Sequence, residues 1–113
     1  MKINITEQED ITVVQVAGDI DSKTAPEFER NARAATEKSR LIAIDLTGVG
    51  FMSSAGLRVL LMVYRSIRSQ EGNVILVGVS EDIQDVMSTT GFINFFSIVE
   101  TPDEALVILK QAS

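Results

Sequence analysis

The chain has 113 residues, 45% of them hydrophobic and 23% charged, with a formal net charge of −6. That length suits one domain whose core needs no metal or disulfide, and the acidic balance repels phosphate backbones, which argues against a nucleic-acid partner. The sequence contains neither histidine nor cysteine, which removes the common zinc sites, the Ser–His and Cys–His nucleophile pairs, and the side chain best suited to proton transfer near neutral pH.

Taken in order, Ile3–Thr6 alternates apolar and polar, and so does Ile11–Ala17, with the polar turn Gln8-Glu9-Asp10 between them. This predicts two strands in an antiparallel hairpin. Gly18–Lys23 reads as a loop, and Thr24-Ala25-Pro26-Glu27 fits a capping box, with Thr24 as N-cap of a helix running to about Lys38. Its apolar stripe is thin (Phe28, Ala32, Ala35), so it should lie close against the sheet. Leu41–Leu46 is almost continuously apolar, as expected of a strand covered on both faces.

A short Gly-containing loop leads into Ser53-Ser54-Ala55-Gly56 and a helix expected over about Ala55–Gln70, ending before Gly72. Asn73–Val79 predicts another buried strand. Ser80-Glu81-Asp82 caps a short helix with the stripe Ile83, Val86, Met87 and a stop at Gly91. Phe92–Phe96 is the most aromatic segment and reads as core packing that leads into a short strand at Ile98-Val99. Thr101-Pro102-Asp103-Glu104 is a second capping box, opening a helix whose stripe is Ala105, Ile108, Leu109 and Ala112. The order β-β-α-β-α-β-α-β-α predicts an α/β domain with a mixed, mostly parallel sheet of four to five strands, an antiparallel N-terminal hairpin and about four helices.

No apolar run is long enough for a membrane span, the N-terminus does not resemble a signal peptide, and the lack of cysteine points to the cytoplasm. No catalytic residue, cofactor or metal ligand is expected.

Ligands and partners of open α/β sheets gather beyond the carboxyl ends of the parallel strands. The loops Gly18–Lys23 and Thr47–Ser53 should meet there, with the segment after Val79 nearby. Ser54 falls at or next to a helix N-cap, where free backbone N–H groups and the helix dipole favour a phosphate. Ala55 and Gly56 leave its hydroxyl approachable. Local sequence alone favours the plainer use of Ser53 and Ser54 as helix caps. A nucleophilic Ser54 has no histidine to activate it and no Gly-x-Ser-x-Gly around it. Asp19 and Asp21 could serve a magnesium ion or a general base, but an acidic loop before a helix is the simpler account. On the helix after Ser54, Val59, Leu60, Val63, Tyr64 and Ile67 share an inward face. Arg58, Leu61, Met62 and Arg65 fall opposite, either as a partner surface or beneath a neighbouring helix.

The stretch Asp45-Leu46-Thr47-Gly48-Val49-Gly50-Phe51-Met52-Ser53-Ser54-Ala55-Gly56-Leu57 closely resembles the signature of bacterial anti-sigma factor antagonists, small proteins of the STAS domain class. The likeness extends over the hairpin, Gly18-Asp19-Ile20-Asp21, the later alternation and the total length, so residues 1–113 are expected to form one STAS domain. It implies partner switching. The unphosphorylated antagonist binds an anti-sigma factor that is also a serine kinase, and so frees a sigma factor for transcription, often in a stress response. Phosphorylation of the serine two before the glycine, here Ser54, weakens the complex, and a PP2C-type phosphatase resets it. The resemblance places Asp21 and Thr24 at family positions near that serine. Together with the residues read from the loops and the outer face of the helix, it gives Asp19, Asp21, Thr24, Ser53, Ala55, Gly56, Arg58, Leu61, Met62 and Arg65 as the expected partner face of a monomer or weak dimer. The usual acid before the phosphoserine is Ser53 here. A non-switching STAS subunit docked on a lipid-transport ABC transporter is the alternative the same resemblance allows.

Overall fold

Period-two alternation carries the chain through β1 (Lys2–Gln8) and β2 (Ile11–Ala17), which pair antiparallel from Lys2↔Ala17 to Gln8↔Ile11. The computed structural model describes residues 1–112, with side chains through residue 111. β3 (Leu41–Gly48), β4 (Asn73–Val77) and β5 (Ser97–Val99) each add in parallel, giving a five-stranded sheet in the order β1-β2-β3-β4-β5. Between them lie α1 (Ala25–Lys38), α2 (Ser54–Ser69), α3 (Glu81–Thr90) and a 3-10 turn at Phe92–Phe95, and α4 (Pro102–Ala112) closes the chain.

The predicted architecture is the observed one, and β3 shows why. Its residues Ile42, Ile44 and Leu46 join the core beneath α1, α2 and α3, while Leu41 and Ala43 face the smaller core under α4. A strand buried on both faces cannot afford polar alternation, hence its near-continuous apolar run. Each of the isoleucine and leucine side chains contributes about 1.5–3 kcal/mol by leaving water.

Five local expectations are corrected. β4 ends at Val77, two residues early, because Gly78 turns the chain at φ +65°, where a Cβ would lie 2.1 Å from Thr47 Oγ1. Val86 is exposed, and α3 is anchored by Ile83 and Met87 alone. In α4 the buried pair Ala105 and Leu109 is flanked by half-buried Leu106, whereas Ile108 is exposed; the side chain of Ala112 lies outside the described residues. Phe92–Phe96 packs on the rim of the core instead of inside it. Tyr64 of α2 stacks there against Phe95 and Phe96 at 5.1 and 5.7 Å, with the Arg68 guanidinium 5.7 Å from its ring. The fifth concerns Thr24 and is taken up with the site.

The helix stops follow local chemistry. Ser80 Oγ accepts the Ile83 N–H and Gly91 ends α3 in the left-handed region. At the end of α2 the left-handed position is Glu71 (φ 57°), not Gly72. The Gly72 N–H returns to Ile67 O at 2.9 Å and the Glu71 N–H to Arg68 O at 3.1 Å. Glycine is needed at position 72 for another reason, since a Cβ there would sit 1.9 Å from the Arg40 carbonyl oxygen.

Candidate functional site

Two loops at the carboxyl end of the sheet are sewn together by their backbones. The Gly18 N–H donates to Gly48 O (3.0 Å), the Ile20 N–H to Phe51 O (2.9 Å) and the Ser53 N–H to Ile20 O (2.8 Å), with Ile20 and Met52 pairing as an isolated parallel bridge. This short ladder imposes strand-like alternation. Ile20 and Met52 point into the core, and Asp19, Phe51 and Ser54 are left on the outer surface, with Asp21 and Ser53 half-buried. The expected meeting of the Gly18–Lys23 and Thr47–Ser53 loops is therefore present, and Gly78 reaches it through Thr47.

The two serines separate into different roles. Ser53 is the N-cap of α2: its backbone is extended (φ −82°, ψ 176°), its Oγ accepts the Ala55 N–H at 3.3 Å, and its carbonyl accepts the Leu57 N–H. Ser54 is the first helical residue, exposed, and its hydroxyl has no hydrogen-bond partner among the described residues. Ala55 is half-buried. Gly56 is buried, and a Cβ on it would come within 2.6 Å of Met52 Cγ and 2.8 Å of Ile20 Cγ2. The glycine lets the first turn of α2 lie directly on the ladder that holds the other loop.

Thr24 does not cap α1 as a capping box would require, since its side chain makes no cap hydrogen bond and its backbone is already helical (φ −96°, ψ −19°). Asp21 instead organises the turn that leads into the helix. Its Oδ1 accepts the Lys23 N–H (2.9 Å) and the Thr24 N–H (3.0 Å), while Thr24 Oγ1 accepts the Asp21 N–H at 2.9 Å and lies 3.0 Å from Asp19 O. The reciprocal turn orders the three residues ahead of α1, which still begins at Ala25 with Thr24 in the N-cap position, and it occupies the Thr24 hydroxyl that a capping box would have used. Asp21 is thus engaged structurally, and Asp19 is the carboxylate that stays outside the turn.

The Thr24 N–H, followed by the Lys23 N–H, holds the Asp21 carboxyl below its ordinary pKa of 3.8. The turn therefore keeps its full stabilisation above the ordinary carboxylate range and loses it only as pH falls through the lower, folded-state value. An NMR titration of the Lys23 and Thr24 amide shifts should give a midpoint under 3.8. A midpoint at or above that value would contradict the turn.

On the outer side of α2, Arg58 and Arg65 are exposed and Leu61 and Met62 half-buried. Met62 packs onto the main core and, with Ala25, Ala55 and Val59, lines a groove of about 680 Å³ between α1 and α2. Met62 therefore lies half-buried in the groove between the two helices, and Arg58 stands on the groove wall. Arg65 lies farther along α2, away from the groove. One residue was missed by pattern alone. Phe51 is 51% exposed beside the Ser53 cap, and its neighbours Val49 and Met52 are both buried, so its apolar character suggests core placement until the loop geometry is known.

The sequence profile of the STAS domain family matches residues 2–105. The anti-sigma-B factor antagonist of Listeria monocytogenes is 31% identical over 90 residues, 79% of either chain. Among solved structures, an anti-sigma factor antagonist from Mycobacterium paratuberculosis superposes with a TM-score of 0.87 at 27% identity, covering 96% of this chain and 93% of that one. The Bacillus cell fate determinant SpoIIAA in its phosphorylated form matches with a TM-score of 0.75 at 18% identity, over 93% and 96% of the two chains. No described helix is long and apolar enough to cross a membrane. The chain belongs to the STAS domain family, and its relatives in that family include anti-sigma factor antagonists.

Proposed function

We propose that this chain is an anti-sigma factor antagonist working by partner switching, with Ser54 as the phosphoacceptor. Unphosphorylated, it binds a cytoplasmic anti-sigma factor that is also a serine kinase and so releases a sigma factor. Phosphorylated, it lets go, and a PP2C-type phosphatase restores it. The chain itself is not the enzyme. The Ser54 Oγ attacks the γ-phosphorus of ATP, ADP leaves, and the hydroxyl proton passes to a base on the kinase, since this chain has no histidine to take it.

The observation that carries this reading is the division of labour between the serines. Ser53 spends its hydroxyl on the cap, so the helix survives modification of its neighbour, and Ser54 offers an exposed, unpartnered hydroxyl on the edge shared with Asp19 and Phe51. Relatives named anti-sigma-B factor antagonists and a phosphorylated form of a protein with this fold support it. A constitutive transporter-docking subunit would have no use for a hydroxyl kept out of the cap. The test is incubation with the cognate anti-sigma kinase and ATP, followed by mapping with mass spectrometry. Ser53→Ala should still accept about one phosphate, and Ser54→Ala none. Full-stoichiometry labelling of Ser54→Ala would refute the assignment.

A further inference from the structure

We infer that Arg58 is an intramolecular clamp for the phosphate on Ser54: once the group is added, the guanidinium leaves the α1–α2 groove and pairs with it. The inference rests on the phosphoacceptor reading and adds to it a residue that acts after the transfer.

Arg58 lies four residues after Ser54 on α2, so the two share a helix face with Cβ atoms about 5–6 Å apart. The polarity is favourable, because an anion N-terminal to a cation at this spacing pairs better than the reverse. Helical side chains lean toward the N-terminus, so a long arginine at position 58 extends back over the first turn, where Ser54 stands. Between them Ala55 adds only a methyl group, and Leu57 is turned into the core.

Arg58 is also uncommitted. In a chain with 16 acids and 10 bases, it has no ion-pair or hydrogen-bond partner among the described residues. Two nearby carboxylates are engaged elsewhere, Glu29 on the groove wall with Arg33 at 3.0 Å and Asp21 with the backbone N–H groups of its own turn, while the exposed Asp19 makes no ion pair with Arg58. A phosphate dianion on Ser54 would be the strongest acceptor within reach, and its geometry suits a bidentate guanidinium contact.

The consequence reaches the groove. Its wall carries Arg30, Arg33 and Arg58 over the apolar residues Ala25, Val59 and Met62. With Arg33 already paired, Arg58 supplies one of two uncommitted cations there. Clamping the phosphate withdraws it, so modification both adds negative charge at Ser54 and removes positive charge from the adjoining groove.

The experiment uses the full chain with phosphoserine installed genetically at position 54, so no kinase is needed. Phosphorus NMR follows the second phosphate ionisation, ordinarily near about 6. Arg58→Gln should raise its midpoint by about 0.3–0.7 unit relative to the parent. Arg58→Lys should recover part of the difference, and Arg30→Gln should leave the midpoint unchanged. The Arg58 side-chain N–H resonance should move on phosphorylation, and raising salt to about 0.5 M should shrink the Arg58→Gln difference. An identical midpoint in parent and Arg58→Gln, with matching circular dichroism, overturns the clamp while leaving the phosphoacceptor reading intact. Failure of the kinase to label Ser54 overturns that reading while leaving the clamp measurement valid.

Discussion

Phosphorylation of Ser54 should weaken binding to the anti-sigma kinase by roughly a hundredfold, corresponding to a loss of about 3 kcal/mol. The modification brings about −1.5 to −2 charge to an exposed site next to the loop that carries the exposed Asp19. The fold itself should barely respond, because the cap belongs to Ser53 and the free N–H groups at the start of α2 tolerate an anion. Almost the whole cost then falls on the interface, where a dianion must be desolvated against whatever covers Phe51 and Ser54. Ser54→Asp carries one charge and a shorter reach, so it should lose about tenfold. Ser53→Ala makes the complementary control: it removes a cap worth about 1 kcal/mol of stability and should change affinity little. Calorimetric titration against the purified kinase, beside thermal melts of the same variants, separates the two effects. An affinity for the phosphorylated chain within threefold of the parent would defeat the switching mechanism.

The elements were legible because their periodicities are strong and their punctuation is conventional. β3 could hardly be anything but a strand buried on both faces, and Ser80 and Gly91 bracket α3 with the residues that helix ends prefer. What escaped the sequence was decided by competition between neighbouring groups. Thr24 holds the N-cap position, but its hydroxyl is drawn into the turn before the helix, where one Asp21 carboxylate oxygen takes two N–H groups at once. Val86 and Ile108 satisfy a helical stripe on paper, but α3 and α4 each meet the sheet along a seam narrow enough that Ile83 and Met87, or Ala105 and Leu109, fill it. For the site the same limit applied. Adjacent serines at a helix start are interchangeable as text, and the extended Ser53 backbone, bonded to Ile20 on one side and capping Ala55 on the other, distinguishes them. Phe51 was invisible for a related reason, since an aromatic between buried Val49 and Met52 reads as core until the ladder with Ile20 turns it outward.

That ladder makes Gly56 the position where stability and site geometry should fail together. Gly56→Val should lower the melting temperature by about 10 °C, from a loss of about 2–3 kcal/mol. The added Cβ alone would stand 2.6 Å from Met52 Cγ and 2.8 Å from Ile20 Cγ2, and the branched carbons extend the clash. Met52 is flexible and can yield, but Ile20 is fully buried and fixed by backbone bonds on both sides, to Phe51 and Ser53. Replacing a helical glycine returns less than about 1 kcal/mol in backbone entropy, which does not offset the strain. The remaining way to relieve the clash is to lift the first turn of α2 off the ladder. That movement displaces Ser54 relative to Asp19 and Phe51, so the folded fraction of Gly56→Val should also be phosphorylated more slowly, at a temperature well below its melt. Gly56→Ala, with one carbon added and the full helix-propensity gain, should fall between parent and valine in both respects. A valine variant that melts within 2 °C of the parent would mean that the close approach of α2 to Ile20 does not organise the site.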